Sequence, residues 1–260
     1  MSGRSNMADT MIRFGRPWLI AFALLAVWEL ACIVFHVPEF VLPRPTRIAE
    51  ATYEFRGLLA LNALQTLMTT LAGFLIAIAV GILLGVAVGS SKAVYDSLYP
   101  LLVGFNSIPK VALVPLIVIW CGIGTVPAIL TAFLISFFPI VVNVATGLAS
   151  VEPELNDVLR VLGATRYEVL RKVGIPRSLP YLFASLKVAI TLAFIGSVIS
   201  ETIAGNDGIG YLMLSAASRY QITLIFSGVI VIAVMSIVVF LICVAIERRC
   251  VGWAFRGQAA

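Results

Sequence analysis

Four ionisable side chains lie inside the long apolar stretches of the sequence, where a charge could bind a ligand or pair with another charge. They are Glu29, Lys110, Lys187 and Glu201. An ionised group surrounded by hydrocarbon is costly, so such a residue usually faces a water-filled cavity or a partner. These residues are therefore the first candidates for a functional site.

Lys110 is the most suggestive of them because it follows Pro109 and lies four residues after Asn106. Proline lacks an N–H and frees a backbone carbonyl, which opens a helix at this point. A cation beside such a break would suit an anionic solute. The alternative is that Lys110 pairs with Glu201 or extends its side chain to the outer face of a membrane.

Asn143 and Glu201 complete the polar set. Asn143 fits a hydrogen bond between helices better than a ligand contact. Glu201 precedes a glycine-rich segment, 204–220, which we predict to be a loop or re-entrant turn. We interpret Glu201 as a gate or a structural pair near the outer face. A catalytic acid is not expected here, because no second carboxylate lies at helical spacing. The predicted pathway residues are Asn106, Lys110, Asn143 and Glu201.

Common enzyme signatures are absent from the sequence. His36 is the only histidine, so neither a His-based triad within an apolar stretch nor a two-histidine zinc site is expected. The four cysteines are scattered without metal-ligand spacing. No Gly-Lys dipeptide occurs, so no phosphate-binding P-loop is present. We expect no catalytic residue, no metal site and no cofactor in this chain.

The composition is that of a polytopic membrane protein. The 260 residues are 61% hydrophobic and 12% charged, with a mean hydropathy of +1.06, whereas ordinary soluble domains have about 25% charged residues. The net charge of +5 fits basic cytoplasmic loops better than nucleic-acid binding. We expect one all-α membrane domain over residues 1–260.

Six apolar segments are long enough to cross a hydrocarbon core about 30 Å thick. Residues 46–61 could form a further helix at the membrane interface, with Ile48, Phe55 and Leu59 toward the lipid. The six predicted spans cover residues 17–36, 64–89, 98–120, 125–148, 183–203 and 222–246.

Small residues recur at every fourth position of the second span, a pattern that lets another helix backbone approach closely. The alternative is that glycine is simply frequent in membrane helices. This small-residue row consists of Gly73, Ala77, Gly81, Gly85 and Gly89.

The basic residues predict the orientation. With six spans both termini lie on one side, and positive charge concentrates on the cytoplasmic side. The side with the termini and the 151–182 loop collects thirteen: Arg4, Arg13, Arg16, Lys92, Arg160, Arg166, Arg171, Lys172, Arg177, Lys187, Arg248, Arg249 and Arg256. The other side has four: Arg44, Arg47, Arg56 and Arg219. Both termini are therefore predicted to be cytoplasmic.

The loop 151–182 is the longest polar interval, and its pattern indicates two short amphipathic helices. One has Val158, Leu159 and Leu162 at helical spacing, and Gly163 ends it. The other has apolar Tyr167, Leu170 and Val173 on one side, and Pro176 and Pro180 end it. We expect Tyr167 and Leu170 to be exposed to the cytoplasm, which suggests that the groove of a docking partner covers them. The alternative is a charged loop that only sets topology.

This loop resembles the EAA loop of ABC importer permeases. Asp157-Val158-Leu159, Gly163, Val173 and Ile175-Pro176 keep the family spacing, with Asp for Glu, Val-Leu for Ala-Ala, Val for Ile and Ile for Leu. In that family the helix after the glycine docks on the ATPase. The resemblance implies these coupling residues: Asp157, Gly163, Ala164, Tyr167, Leu170, Val173, Ile175 and Pro176.

From about Leu42 to Arg249 the sequence looks most like permeases of the nitrate, sulfonate and taurine group, including carriers of thiamine-pyrimidine precursors. The resemblance implies a type I ABC importer fold in a bacterial inner membrane, surrounded by lipid. It also implies two ATPase subunits that bind ATP and Mg²⁺, a second permease copy and an extracytoplasmic solute-binding protein. The alternative function is an ATP-independent secondary transporter or channel.

Overall fold

A computed structural model describes residues 3–150, 158, 159 and 161–253. Over these residues the chain is helical and contains no strand. The α-helices are α1 (Gly3–Val34), α2 (Pro45–Glu54), α3 (Arg56–Gly89), α4 (Lys92–Asn106), α5 (Val114–Cys121), α6 (Thr125–Ala149), α7 (Arg166–Val169), α8 (Ile175–Ala204), α9 (Ile209–Ser218) and α10 (Ile222–Cys250). A 3-10 turn, Lys110–Leu113, precedes α5, and a π-helical turn, Leu170–Gly174, joins α7 to α8.

Four helices among the described residues are long and apolar enough to span a membrane: Arg56–Gly89, Thr125–Ala149, Tyr167–Ala204 and Ile222–Cys250. Lys92–Asn106 and Lys110–Cys121 form a fifth if this pair, bent by 71°, is counted as one span. These five contain the predicted spans from the second to the sixth. The apolar part of α1, Leu19–Val34, is shorter than 18 residues, so the first predicted span stays a prediction.

The structure corrects three local predictions. The segment 46–61 is not one helix, because α2 ends at Glu54 and α3 begins at Arg56. Ile48 and Leu59, both predicted to face lipid, are only 1% and 2% exposed. The glycine-rich segment 204–220 contains α9 rather than only a loop.

A fourth correction concerns two prolines that were expected to end a helix. Pro176 occupies the first turn of α8, where a missing N–H leaves no intrahelical bond unmade. Pro180 lies inside the same helix. The fifth span therefore begins well before residue 183 and is continuous with the second half of the 151–182 loop.

The residues divide into two compact units, Met1–Leu59 with Met213–Ile230, and Ala60–Leu212 with Val231–Ala260. In the first unit, the Thr52 hydroxyl on α2 lies 3.0 Å from the Ser227 hydroxyl on α10. Trp28 of α1 packs near Phe226, with ring centroids 6.0 Å apart. These contacts connect α1 and α2 with the first turns of α10.

The second unit contains the main apolar core, in which α6 lies between α3 and α8. Phe74 and Ala77 come from α3, Ile140 and Val144 from α6, and Phe194 from α8. Each of these side chains is at most 5% exposed. This core includes α6 and α8, the helices that carry Asn143 and Glu201.

Candidate functional site

The break in the third predicted span has a clear cause at Pro109. The helix α4 ends at Asn106, and Pro109 adopts an extended conformation with ψ of 95°. Proline also disfavours the helical conformation in the residue before it, here Ile108. Pro115, the other proline of this span, starts α5 rather than interrupting it. The break therefore places Lys110 at the start of a tight turn between two helices.

Lys110 faces an amide rather than a carboxylate. Its Nζ donates to Asn106 Oδ1 at 2.7 Å and to the Asn106 carbonyl oxygen at 3.4 Å. The ammonium also lies 5.5 Å from the centroid of the Phe138 ring, within reach of a cation–π interaction. Among the described residues, no acidic side chain lies within 4.0 Å of this ammonium.

A pocket of about 370 Å³ opens beside this cation. Three of the four predicted pathway residues line it, namely Asn106, Lys110 and Asn143. The remaining lining is apolar and comes from α6 and α8: Ile135, Phe138, Pro139, Val142 and Leu192. The structure thus brings together one positive charge, two amides and an apolar wall.

Asn143 uses its side chain inside its own helix. Its Nδ2 donates to the Pro139 carbonyl oxygen at 2.8 Å. The prediction that Asn143 forms a hydrogen bond between helices is therefore wrong. Its amide forms part of the pocket lining instead.

Glu201, the fourth predicted pathway residue, lies apart from the pocket and is 3% exposed. Its carboxylate accepts hydrogen bonds from the hydroxyl groups of Thr66 at 2.8 Å and Ser197 at 3.2 Å. Thr69 donates a longer bond of 3.3 Å. The alternative in which Lys110 pairs with Glu201 is not what the structure contains.

Glu201 also caps the first turn of α9. Three successive backbone N–H groups there donate to side chains of α3 and α8: Gly208 to Asn62 Oδ1 at 2.9 Å, Ile209 to Thr66 Oγ1 at 2.8 Å, and Gly210 to Glu201 Oε2 at 3.0 Å. The first N–H groups of a helix have no intrahelical acceptor and favour negative charge. Gly208 has a φ of +99°, and a Cβ there would overlap the Glu201 carboxylate, so this turn requires glycine.

The other ionisable groups are compensated as well. Glu29 accepts hydrogen bonds from the backbone N–H of Thr46 at 3.1 Å and from its hydroxyl at 2.8 Å. Lys187 forms an ion pair of 2.8 Å with Glu247 on α10. Sequence reasoning assigned Glu247 no role, and no local pattern connects two residues that lie 60 positions apart.

The small-residue row of α3 lies against α6 of the same chain. A Cβ on Gly73 would lie 2.6 Å from the Ile129 carbonyl oxygen, and one on Gly81 would lie 2.7 Å from Ile140 Cγ2. The corresponding distances are 2.7 Å from Gly85 to Val144 Cβ and 2.8 Å from Gly89 to the Ala145 carbonyl oxygen. Ala77 is fully buried. Larger side chains at these positions would separate the two helices.

The candidate coupling loop is described from Val158 onward, apart from Arg160, and Asp157 lies outside the described residues. Gly163 has a φ of +86° and open space around it, which fits a sharp chain reversal. Thr165 and Glu168 then form a reciprocal capping box, with bonds of 3.2 Å and 3.0 Å. The spacing Thr165-x-x-Glu168 is a readable signal that the sequence interpretation overlooked.

The apolar residues of this loop face in two directions. Tyr167 is 67% exposed, whereas Leu170 is partly buried and packs against the core of the second unit. The expectation that Leu170 faces the cytoplasm is therefore wrong. Val161 and Leu162 are 88% and 76% exposed. Ala164, Val173 and Pro176 are half-buried, and Ile175 is 40% exposed.

Residues 77–251 match the family described as binding-protein-dependent transport system inner membrane component. The riboflavin transport system permease protein of Chloroflexus aurantiacus is 32% identical over 88% of this chain and 87% of its own length. An aliphatic sulfonates transport permease protein of Bacillus subtilis is 28% identical over 90% of this chain and 86% of its own. Other relatives are named for nitrate, taurine and formylaminopyrimidine transport.

The fold is also similar to that of a solved transporter. The inward-facing MetNI methionine ABC transporter contains a chain that superposes with a TM-score of 0.64 at 19% identity, over 76% of this chain and 98% of that one. This similarity confirms the predicted all-α, type I importer fold. Together with the family match it shows that this chain belongs to the binding-protein-dependent transport system inner membrane components, the permease subunits of ABC importers.

Proposed function

We propose that this permease moves a small anionic solute into the cytoplasm and that Lys110 supplies the positive charge of its pathway. One observation carries the proposal. Glu29 and Glu201 are held by hydrogen bonds and Lys187 by a carboxylate, whereas Lys110 has no acidic partner within 4.0 Å among the described residues. An unpaired charge at membrane depth is typical of a substrate pathway.

The environment of Lys110 suits passage better than tight retention. Transport requires binding that is favourable enough for entry and weak enough for release. The amide of Asn106 holds the ammonium in place but does not neutralise it. A passing anion can therefore replace solvent around Nζ without first breaking an ion pair.

The energy for transport comes, in this proposal, from two separate ATPase subunits that bind ATP and Mg²⁺. The absence of a Gly-Lys dipeptide and the exposed apolar side chains of Val161, Leu162 and Tyr167 support this division of labour. A second permease copy and an extracytoplasmic solute-binding protein complete the complex. The thirteen-to-four distribution of basic residues supports cytoplasmic termini on a single permease domain, 1–260.

In this proposal the binding protein selects which solute is delivered to the permease. Relatives at similar identity are named for riboflavin, sulfonates, nitrate, taurine and formylaminopyrimidine. Relatives that are 27–32% identical to this chain are thus named for chemically different solutes, which supports selection before the solute reaches the membrane.

The test is uptake by vesicles that contain the complete complex of this permease, its ATPase and its binding protein. Taurine, nitrate, ethanesulfonate, riboflavin and formylaminopyrimidine serve as labelled solutes. We expect ATP-dependent uptake of an anion, abolished by vanadate. Uptake that follows an ion gradient and is insensitive to ATP and vanadate would instead identify a secondary transporter or channel.

A further inference from the structure

The pocket beside Lys110 has two chemically different parts. Its polar end consists of the ammonium and the amides of Asn106 and Asn143. The rest is apolar, with Phe138 from α6 and Leu192 from α8 among its lining residues. No carboxylate is among the lining residues that the structure describes. A ligand that fits both parts must carry a negative charge at one end and an apolar surface at the other.

The polar end has capacity for a ligand. A lysine ammonium has three N–H donors, and the hydrogen bonds of Lys110 are directed at the two oxygens of Asn106, one of them at a long 3.4 Å. At least one donor is therefore available to an anion. Phe138 covers one side of the ammonium at 5.5 Å, which lowers its access to water and strengthens its attraction for an anion.

The volume of the pocket argues against a compact inorganic ion. About 370 Å³ equals the liquid volume of roughly a dozen water molecules and lies near the lower limit for small-molecule pockets. A compact anion at Lys110 would leave the apolar part filled with water. An organic body in that part would instead remove apolar surface from water.

We propose that this pocket binds a monovalent organic anion whose charged group contacts Lys110 and whose short apolar body lies against Phe138 and Leu192. This inference rests on the proposed function only in taking Lys110 as the anion site, and it adds the requirement for an apolar body. Each added methylene group that reaches the apolar part should tighten binding by about fourfold.

The experiment is a binding titration of the complete complex in nanodiscs of neutral lipid, with empty nanodiscs subtracted. Ethane-, butane- and hexanesulfonate vary the apolar body at constant charge. Sulfate supplies charge without an apolar body, and hexylammonium supplies the same body with the opposite charge. We expect affinity to rise from ethanesulfonate to hexanesulfonate. The affinities for sulfate and for hexylammonium should each be at least tenfold weaker than that for hexanesulfonate.

Two pairs of variants localise the site. Lys110→Met should abolish the preference for hexanesulfonate over hexylammonium, and Lys110→Arg should retain it. Leu192→Ala should flatten the rise with chain length, whereas Val188→Ala, at an exposed position of the same helix, should not. Equal affinity for sulfate and hexanesulfonate, or an unchanged series in Leu192→Ala, would overturn the inference.

Failure of this inference can be distinguished from failure of the proposed function. ATP-driven uptake of an anion without any dependence on chain length would retain the transport proposal and exclude the amphiphilic ligand. Chain-length-dependent binding in a complex that transports no anion would retain the amphiphilic ligand site and exclude the transport proposal.

Discussion

Oε2 of Glu201 accepts a hydrogen bond from the backbone N–H of Gly210 at 3.0 Å, so a carboxylate from α8 caps the N-terminus of α9. The same oxygen accepts a hydrogen bond from the Thr66 hydroxyl, and that hydroxyl accepts a hydrogen bond from the N–H of Ile209. A single side chain therefore joins α3, α8 and α9. The interactions around Glu201 are those of a structural pair, not of a catalytic acid.

The first prediction is that Glu201→Ala destabilises the permease by about 2–4 kcal/mol, because several buried donors lose their acceptor at once. Thermal unfolding of the purified permease in detergent measures the effect. Glu54→Ala serves as the matched control, since Glu54 is exposed at the end of α2. Equal melting temperatures for the two variants would show that the cap contributes nothing to stability.

The second prediction concerns the ion pair between Lys187 and Glu247, whose side chains are 27% and 7% exposed. Lys187→Met should cost about 3 kcal/mol or more, because it leaves a buried carboxylate without a partner. The double variant Lys187→Met/Glu247→Gln should recover much of that loss. If Lys187→Met and the double variant both melt at the wild-type temperature, the pair has no structural role.

The long helices of this fold could be predicted from the sequence because their signal is local and additive. Hydrophobicity summed over about 20 residues identifies a span whatever it packs against. The break near Lys110 was predictable for a similar reason, since Pro109 acts on its own backbone and on Ile108. These features require no knowledge of distant residues.

The parts that could not be predicted depend on distant pairs. Glu201 accepts a hydrogen bond from Thr66, which lies 135 residues away in the sequence, and both side chains accept hydrogen bonds from the first turn of α9. Leu170 shows a related limit: an amphipathic pattern defines an apolar face but not whether that face meets the chain's own core or a partner. The capping box of Thr165 and Glu168 is different, because its spacing was readable.

The third prediction concerns the small-residue row. Gly81→Ala should destabilise the permease by about 1–3 kcal/mol, because its Cβ would lie 2.7 Å from Ile140 Cγ2 and force α3 away from α6. Gly81→Leu should lower the yield of folded permease further. Gly57→Ala on the same helix is the control, because nothing lies within 4 Å of its Cβ position. Comparable melting curves for Gly81→Ala and Gly57→Ala would contradict the packing argument.

The fourth prediction is that Lys110→Met lowers uptake of an anionic solute at least tenfold, which corresponds to the loss of a charged hydrogen bond of about 1.5–3 kcal/mol. Lys110→Arg should retain most of the uptake because it keeps the charge. Lys92→Met removes an exposed cation at the start of α4 and controls for a general change in net charge. Normal uptake kinetics in Lys110→Met would leave this lysine with a structural role alone.

The last prediction separates docking from folding in the loop after Gly163. Leu162 and Tyr167 are 76% and 67% exposed, and large apolar surfaces that remain exposed often mark a protein–protein interface. Leu162→Ala/Tyr167→Ala should therefore weaken ATPase binding by roughly a hundredfold, at about 1.5–3 kcal/mol per buried side chain as an upper range. The melting temperature of the isolated permease should not change.

Leu170→Ala should show the reverse pattern, because this side chain packs against the core of its own chain. The loss should lower the melting temperature, with a cost of about 2 kcal/mol or more, before it affects ATPase binding. Co-purification of the ATPase with tagged permease and thermal unfolding of the permease alone measure the two effects separately. Tyr53→Ala, at an exposed tyrosine of α2, controls for loss of an exposed aromatic ring. Full ATPase retention and uptake in Leu162→Ala/Tyr167→Ala would mean that these side chains do not contact the ATPase.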